Sequence, residues 1–367
     1  MKKMKNKENE KGITLVALVV TIVVLIILAG ITLTLVLGQN GIIGKAKEAR
    51  AASTNADKAT AEGLNNLYNE MVIATGEQTT PTTVATAIGT VLSTTANAQL
   101  KDDGGNTVTI PAGFKVAIGS PTKQEDGIII EDKDGNQYVW IPVSDISNYK
   151  RTDYGKQDGT YSSYSETMSS DEQTSVSTYK GYYIGRYEAG DKETTANKTM
   201  RSSSVVTNTV TIKKDQVPYN FVTRDQANTL ATGIKATEGY TATTKLCSSY
   251  AWDTAINFLQ SKVSNYGTSS NQGNYNDTTF TYTDITGASQ TKASSSSVLI
   301  PTGETTPVCS IYDMGGNDWE WTTEASSQVS GDPYVSRGGG LQRQLFDLSR
   351  WVSHLWQSDL FCQRRYF

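Results

Sequence analysis

From Ile13 to Leu37 the chain reads ITLVALVVTIVVLIILAGITLTLVL, 25 residues without a charge. As a helix rising about 1.5 Å per residue, the run reaches roughly 38 Å, enough to cross a bilayer core of about 30 Å with some tilt. It follows MKKMKNKENEKG, residues 1–12, whose lysines place the start of the chain in the cytoplasm. A secretory signal peptide is the competing reading. Its apolar core runs to about 7–15 residues and ends at a small-residue cleavage site, which this run lacks. The pattern predicts a single membrane pass over 13–37, with the carboxy-terminal part of the chain outside the cell.

The junction Lys11-Gly12-Ile13-Thr14-Leu15 resembles the prepilin class of leader. The resemblance implies that a prepilin peptidase cuts between Gly12 and Ile13 and that Ile13 is then N-methylated. Prepilins usually carry glutamate at the fifth mature position, facing the terminal amine of a neighbouring pilus subunit. This chain has Ala17 there, so leader processing fits the resemblance better than filament assembly does. A plain signal anchor is the alternative. Beyond Gly38 to Gly44, Ala, Lys and Glu dominate, and Leu64, Leu67 and Met71 recur at three- and four-residue spacing, which predicts a helical stalk over 38–75.

The remainder is rich in Gly, Ser, Thr and Asn, with 19 tyrosines, as suits a loop-rich, hydrophilic surface protein. Charged residues make up 19% and the net charge is −4, so no basic bias points to nucleic acid. The three cysteines, Cys247, Cys309 and Cys362, are odd in number and far apart, and none forms a C-x-x-C pair. His354 is the single histidine, which argues against histidine metal sites and Ser-His-Asp chemistry.

Residues 76–109 read as a linker, with strands beginning near Ile110. Phe114, Val116 and Ile118 alternate, and Asp134-Gly135 sits between two apolar runs, which predicts a hairpin. Residues 151–178 and 264–297 read as two long loops. Thr223 followed by Gln226 forms a capping box for a helix, and Trp252, Ala255, Ile256 and Leu259 share one helical face.

Residues 311–323, IYDMGGNDWEWTT, gather Asp313, Asp318 and Glu320 around a Gly315-Gly316 turn. Trp319 and Trp321 alternate with the last acids, so in extended chain they fall on one face and pack inward. The segment resembles the YDM-x-GN-x-WEW stretch of the formylglycine-generating enzyme (sulfatase-modifying factor) family. KGYYIGRYEAG at 180–190, the helix after Thr223, and Ser336-Arg337-Gly338-Gly339 fall at matching places. The resemblance covers 110–340 and implies an α+β chain: a long amino-terminal transmembrane and stalk helix, then a loop-rich, C-type lectin-like domain. It also implies calcium held by the side chains of Asp313 and Glu320 and the main-chain oxygens of Gly316 and Asp318. The competing reading has Asp313 and Glu320 capping turns or pairing with Arg337.

Family oxidases bind copper through two neighbouring cysteines near the carboxy terminus, where this chain has Cys362 alone. No copper is therefore expected, and no catalytic residue is assigned. The expectation is a membrane-anchored surface protein that binds an extracellular ligand. An enzyme of the same family with another site, or a minor pilin, are the alternatives.

After Gly340 the glycine-rich habit stops, and residues 341–367 read LQRQLFDLSRWVSHLWQSDLFCQRRYF. Leu341, Leu345, Leu348, Val352 and Leu355 keep helical spacing, which reads as an amphipathic helix. Back-translated and shifted by one base, the same stretch can spell a GYNGN-type ending like that of the family. On that reading the tail is out of frame and does not complete the domain core.

Overall fold

The computed structural model describes residues 81–151, 164–191, 210–234, 242–266, 273–296, 298–326, 334–338, 361–363 and 365–366. The chain divides into two compact units, Met1–Thr60 and Ala61–Phe367, and every described residue belongs to the second. In chain order this unit has helix α1 (Val84–Ala87) and strands β1 (Ala98–Lys101), β2 (Thr107–Ile110), β3 (Lys115–Val116), β4 (Ile129–Glu131), β5 (Gln137–Pro142) and β6 (Tyr164–Ser165). Helix α2 (Ser170–Tyr179), β7 (Gly181–Gly185), β8 (Gly190–Asp191), β9 (Val210–Thr211), β10 (Val217–Pro218), helix α3 (Arg224–Gly233) and β11 (Lys245–Leu246) follow. Helix α4 (Ser249–Gln260), β12 (Phe280–Thr283), β13 (Ser289–Lys292), β14 (Trp319–Ser326), β15 (Tyr334–Arg337), β16 (Phe361–Gln363) and β17 (Arg365–Tyr366) complete it.

The expected fold class needs correction. The described residues are mixed α/β and mostly strand, and none of their helices is long and apolar enough to cross a membrane. The longest, α4, has 12 residues; at about 1.5 Å each it reaches only about 18 Å, short of a bilayer core of about 30 Å. The expected transmembrane run 13–37 and stalk 38–75, with the processing residues Gly12 and Ile13, lie outside the described residues.

A six-stranded sheet in the order β11-β17-β7-β5-β4-β3 divides two hydrophobic cores. Alternation along β5 sends Tyr138 and Trp140 to one side and Val139 and Ile141 to the other. On the first side the sheet packs on α1, β1, β2 and α3, whose Val84, Leu100, Val108, Ala227 and Leu230 are buried. The second side takes α4 through Trp252, Ala255, Ile256 and Leu259, the face read from the sequence, together with Val176 of α2. Full burial of each such aliphatic side chain contributes about 1.5–3 kcal/mol. The capping box at Thr223 and Gln226 is present as expected.

The described parts of three segments read as linker or long loop hold regular structure. Within 81–109, α1 carries its own capping box at Thr83 and Thr86, and β1 pairs antiparallel with β2. Within 151–178, Ser169 caps α2. Within 264–297, β12 and β13 form a hairpin whose Lys292 is buried and donates to the carbonyls of Tyr275 (2.5 Å), Thr278 (2.8 Å) and Ser296 (3.2 Å). Polar composition hid all three, because short hairpins and caps need few apolar residues. The tail also departs from expectation. The backbone of β16 runs parallel to β14, and β17 enters the central sheet between β11 and β7. A ladder of backbone hydrogen bonds makes no demand on the glycine-rich composition whose loss marks this segment.

One turn recurs in three hairpins: Asp102–Asn106 joins β1 to β2, Asp132–Asn136 joins β4 to β5, and Asp284–Ala288 joins β12 to β13. Each opens on an aspartate whose Oδ1 accepts from the N–H groups two and four residues on. Gly105, Gly135 and Gly287 then take φ of 80, 82 and 86° and donate back to the carbonyl of that aspartate. A left-handed fourth residue is what glycine adopts without a Cβ penalty.

Candidate functional site

The 311–323 segment enters as strained coil and leaves as strand. Cys309, Ser310, Asp313 and Asn317 all have positive φ, between 44 and 64°, and Gly316 sits at 77°. Left-handed non-glycine residues cost about 1–2 kcal/mol each, so the surroundings must hold them. Tyr312 N–H donates to the Arg186 carbonyl at 3.0 Å, Gly316 N–H to Gly338 at 3.0 Å, and Asn317 N–H to Asn274 at 2.9 Å. Only glycine fits at 316, since a Cβ there would lie 2.8 Å from the Asn274 carbonyl oxygen.

Asn317 is the hub of the site. Its Oδ1 accepts from Asn274 Nδ2 at 2.9 Å and Ile300 N–H at 3.0 Å. Its Nδ2 donates to Glu188 Oε2 at 2.7 Å and to the Ile300 carbonyl at 3.1 Å. Around it lie four acids almost without exposure: Glu188 and Glu320 at 0%, Asp313 and Asp318 at 2%. Asp313 accepts from Gly303 N–H at 2.8 Å and Thr305 Oγ1 at 2.5 Å, as a turn-capping acid would. Asp318 Oδ1 accepts from Trp319 N–H at 2.9 Å, while its buried Oδ2 has no hydrogen-bond partner among the described residues. Glu320 Oε2 accepts from the Trp252 indole at 2.7 Å.

Burial, together with the charges of Asp313, Asp318 and Glu320, holds the Glu188 carboxyl well above the usual carboxylate range, against the pull of the Asn317 amide. Burial likewise raises Asp318, opposed by the Trp319 N–H and reinforced by Glu320. Removing ions from water is costly, so such a gathering calls for protons or a cation.

The predicted residues Asp313, Gly316, Asp318 and Glu320 are all buried in or beside this coil. Their chemistry fits a hard cation such as calcium, which takes six to eight oxygens. The orphaned Asp318 Oδ2 is one oxygen available, and an oxygen that accepts one hydrogen bond keeps a lone pair. Among the described residues no three His, Cys, Asp or Glu side chains converge on one point, so such a site draws on main-chain oxygens. Trp321 is buried and donates to the Val222 carbonyl at 2.9 Å, and Trp319 packs against the same core, the shared face read from the sequence.

Arg337 anchors a second buried polar cluster. It bonds Asp253 at 2.6 Å and also Glu324, which in turn pairs with Arg151, and its guanidinium lies 5.5 Å from the centre of the Trp252 ring. Trp252 thus touches both clusters, through its indole N–H and its ring face. Cys247 is a buried thiol, and Cys309 is a half-buried one whose pKa burial pushes up to about 11.

Sequence reasoning missed Glu188, Asn274 and Asn317 as site residues. An acid between Tyr187 and Ala189, both buried, was the one local signal for Glu188. No family model matches the chain, and no curated protein matches it in sequence.

Proposed function

We propose that the chain is a surface protein that binds an extracellular ligand through a non-catalytic domain of the sulfatase-modifying-factor type. Attachment to the cell membrane is through the uncharged run 13–37, after cleavage between Gly12 and Ile13. Calcium, held by Asp313, Glu320 and the carbonyls of Gly316 and Asp318, stiffens the coil that supports the binding surface. One observation carries the reading: the motif acids have 0–2% exposure and bond to backbone and indole donors. A carboxylate that must touch a substrate needs a path to it, whereas one that braces a loop does not.

The test uses the full chain in detergent micelles. A glycan and peptide array probes binding, and a cysteine peptide of the kind sulfatases carry, with copper and oxygen, probes aldehyde formation. Specific array binding without aldehyde is the expected result. Copper-dependent aldehyde formation overturns the non-catalytic reading.

A further inference from the structure

Glu188 lies outside the 311–323 segment, between β7 and β8, and grips it at two adjacent residues. Oε2 accepts from the Asn317 side chain at 2.7 Å and Oε1 from the Asp318 N–H at 3.2 Å. Three successive amide N–H groups are thereby anchored: Asn317 on the Asn274 carbonyl, Asp318 on Glu188, and Trp319 on the Asp318 side chain. Peptide groups are planar and trans, so each anchored N–H sets the opposite direction of the carbonyl preceding it. The first and third anchors aim the carbonyls of Gly316 and Asp318. The middle one, on Glu188, fixes the peptide between them and hence their relative orientation.

We propose that Glu188 is a positioning residue that presents the Gly316 and Asp318 carbonyls as a matched pair to a calcium ion. The inference rests on the calcium reading of the 311–323 coil. No other acid could replace Glu188 from its own segment, because the neighbouring positions are Tyr187 and Ala189. Its reach also explains why Asn317 tolerates φ of 62°, since the side chain is held at both of its polar atoms.

The test compares the full chain with Glu188→Gln, which keeps the shape but puts an NH₂ group against one of the two donors. Calcium affinity is read by titration calorimetry, and amide hydrogen exchange is followed without calcium. A calcium dissociation constant raised at least tenfold, with faster exchange confined to 314–320, is the expected result. Unchanged affinity in Glu188→Gln overturns the positioning role while leaving the calcium reading intact. Exchange that also speeds in β5 overturns it too, by making Glu188 a general support. An unsubstituted chain that binds no calcium overturns both readings together. Glu188→Asp, which keeps the charge but draws both oxygens back from Asn317 and Asp318, serves if Glu188→Gln does not fold, and the same outcomes decide.

Discussion

Replacing Arg337 by methionine removes the cation from a cluster in which Arg337, Asp253 and Glu324 are all 0% exposed. Breaking a buried pair from one side costs about 3–5 kcal/mol, because the remaining charge stays out of water. Glu324 keeps its pairing with Arg151, so the deficit falls mainly on Asp253. Loss of the guanidinium from the Trp252 face adds about 1 kcal/mol. The sum, about 4–6 kcal/mol, is a large share of the roughly 5–15 kcal/mol that holds a domain together. At about 2–4 °C per kcal/mol for a domain of this size, the melting temperature should fall by at least about 8 °C. Thermal unfolding of the full chain in micelles, followed by near-ultraviolet circular dichroism, measures it. Adding Asp253→Leu to Arg337→Met should recover more than half of the loss, since the stranded carboxylate is gone. A single variant that costs under about 1 kcal/mol, or a double variant no better than the single, refutes the argument from buried charge.

Lys292→Met should cost about 3 kcal/mol, because three carbonyls lose a charged donor, and amide exchange over 275–296 should speed by about a hundredfold. Unchanged exchange there removes the idea that the ammonium orders this segment. Asp284 is held below its ordinary 3.8 by the Thr286 hydroxyl, then by the Gln290 amide and the N–H groups of Ala288 and Thr286, against a push from burial. A depressed carboxyl stabilises the fold above its unfolded pKa, and that contribution fades as pH falls through the lower folded value. Asp284→Asn should therefore flatten the pH dependence of stability below pH about 4, and an unaltered acid limb in chemical denaturation contradicts this.

Much of the secondary structure was legible where a single short-range rule governs it. Asp134-Gly135 announced its hairpin, Thr223 and Gln226 their helix, and the apolar face of α4 its burial against the sheet. Residues 84–110 were not legible, because a four-residue helix and a hairpin built on Leu100, Val108 and Ile110 leave too faint a pattern in a Thr- and Ala-rich stretch. The candidate site was half legible. Its motif stands out in sequence, but Glu188 and Asn274 reach Asn317 across separations of 129 and 43 residues, which no local pattern records. The charged cluster of Arg337 is similar: Asp253 comes from α4 and Glu324 from the far end of β14.

The recurring aspartate turn has a consequence for how this surface can change. In each copy the aspartate side chain and the glycine do the work of reversal, leaving Asp103-Gly104, Lys133-Asp134 and Ile285-Thr286 at the tips. Those pairs differ in charge, bulk and branching, yet the strands beneath them keep the same alignment. Asp103 is tied down by Thr122 Oγ1, and the Thr286 hydroxyl donates to its own aspartate, so it is at Asp134 and Ile285 that new side chains can be tried with least disturbance to what lies below. One backbone pattern thus serves three turns, while the freedom to vary differs from tip to tip.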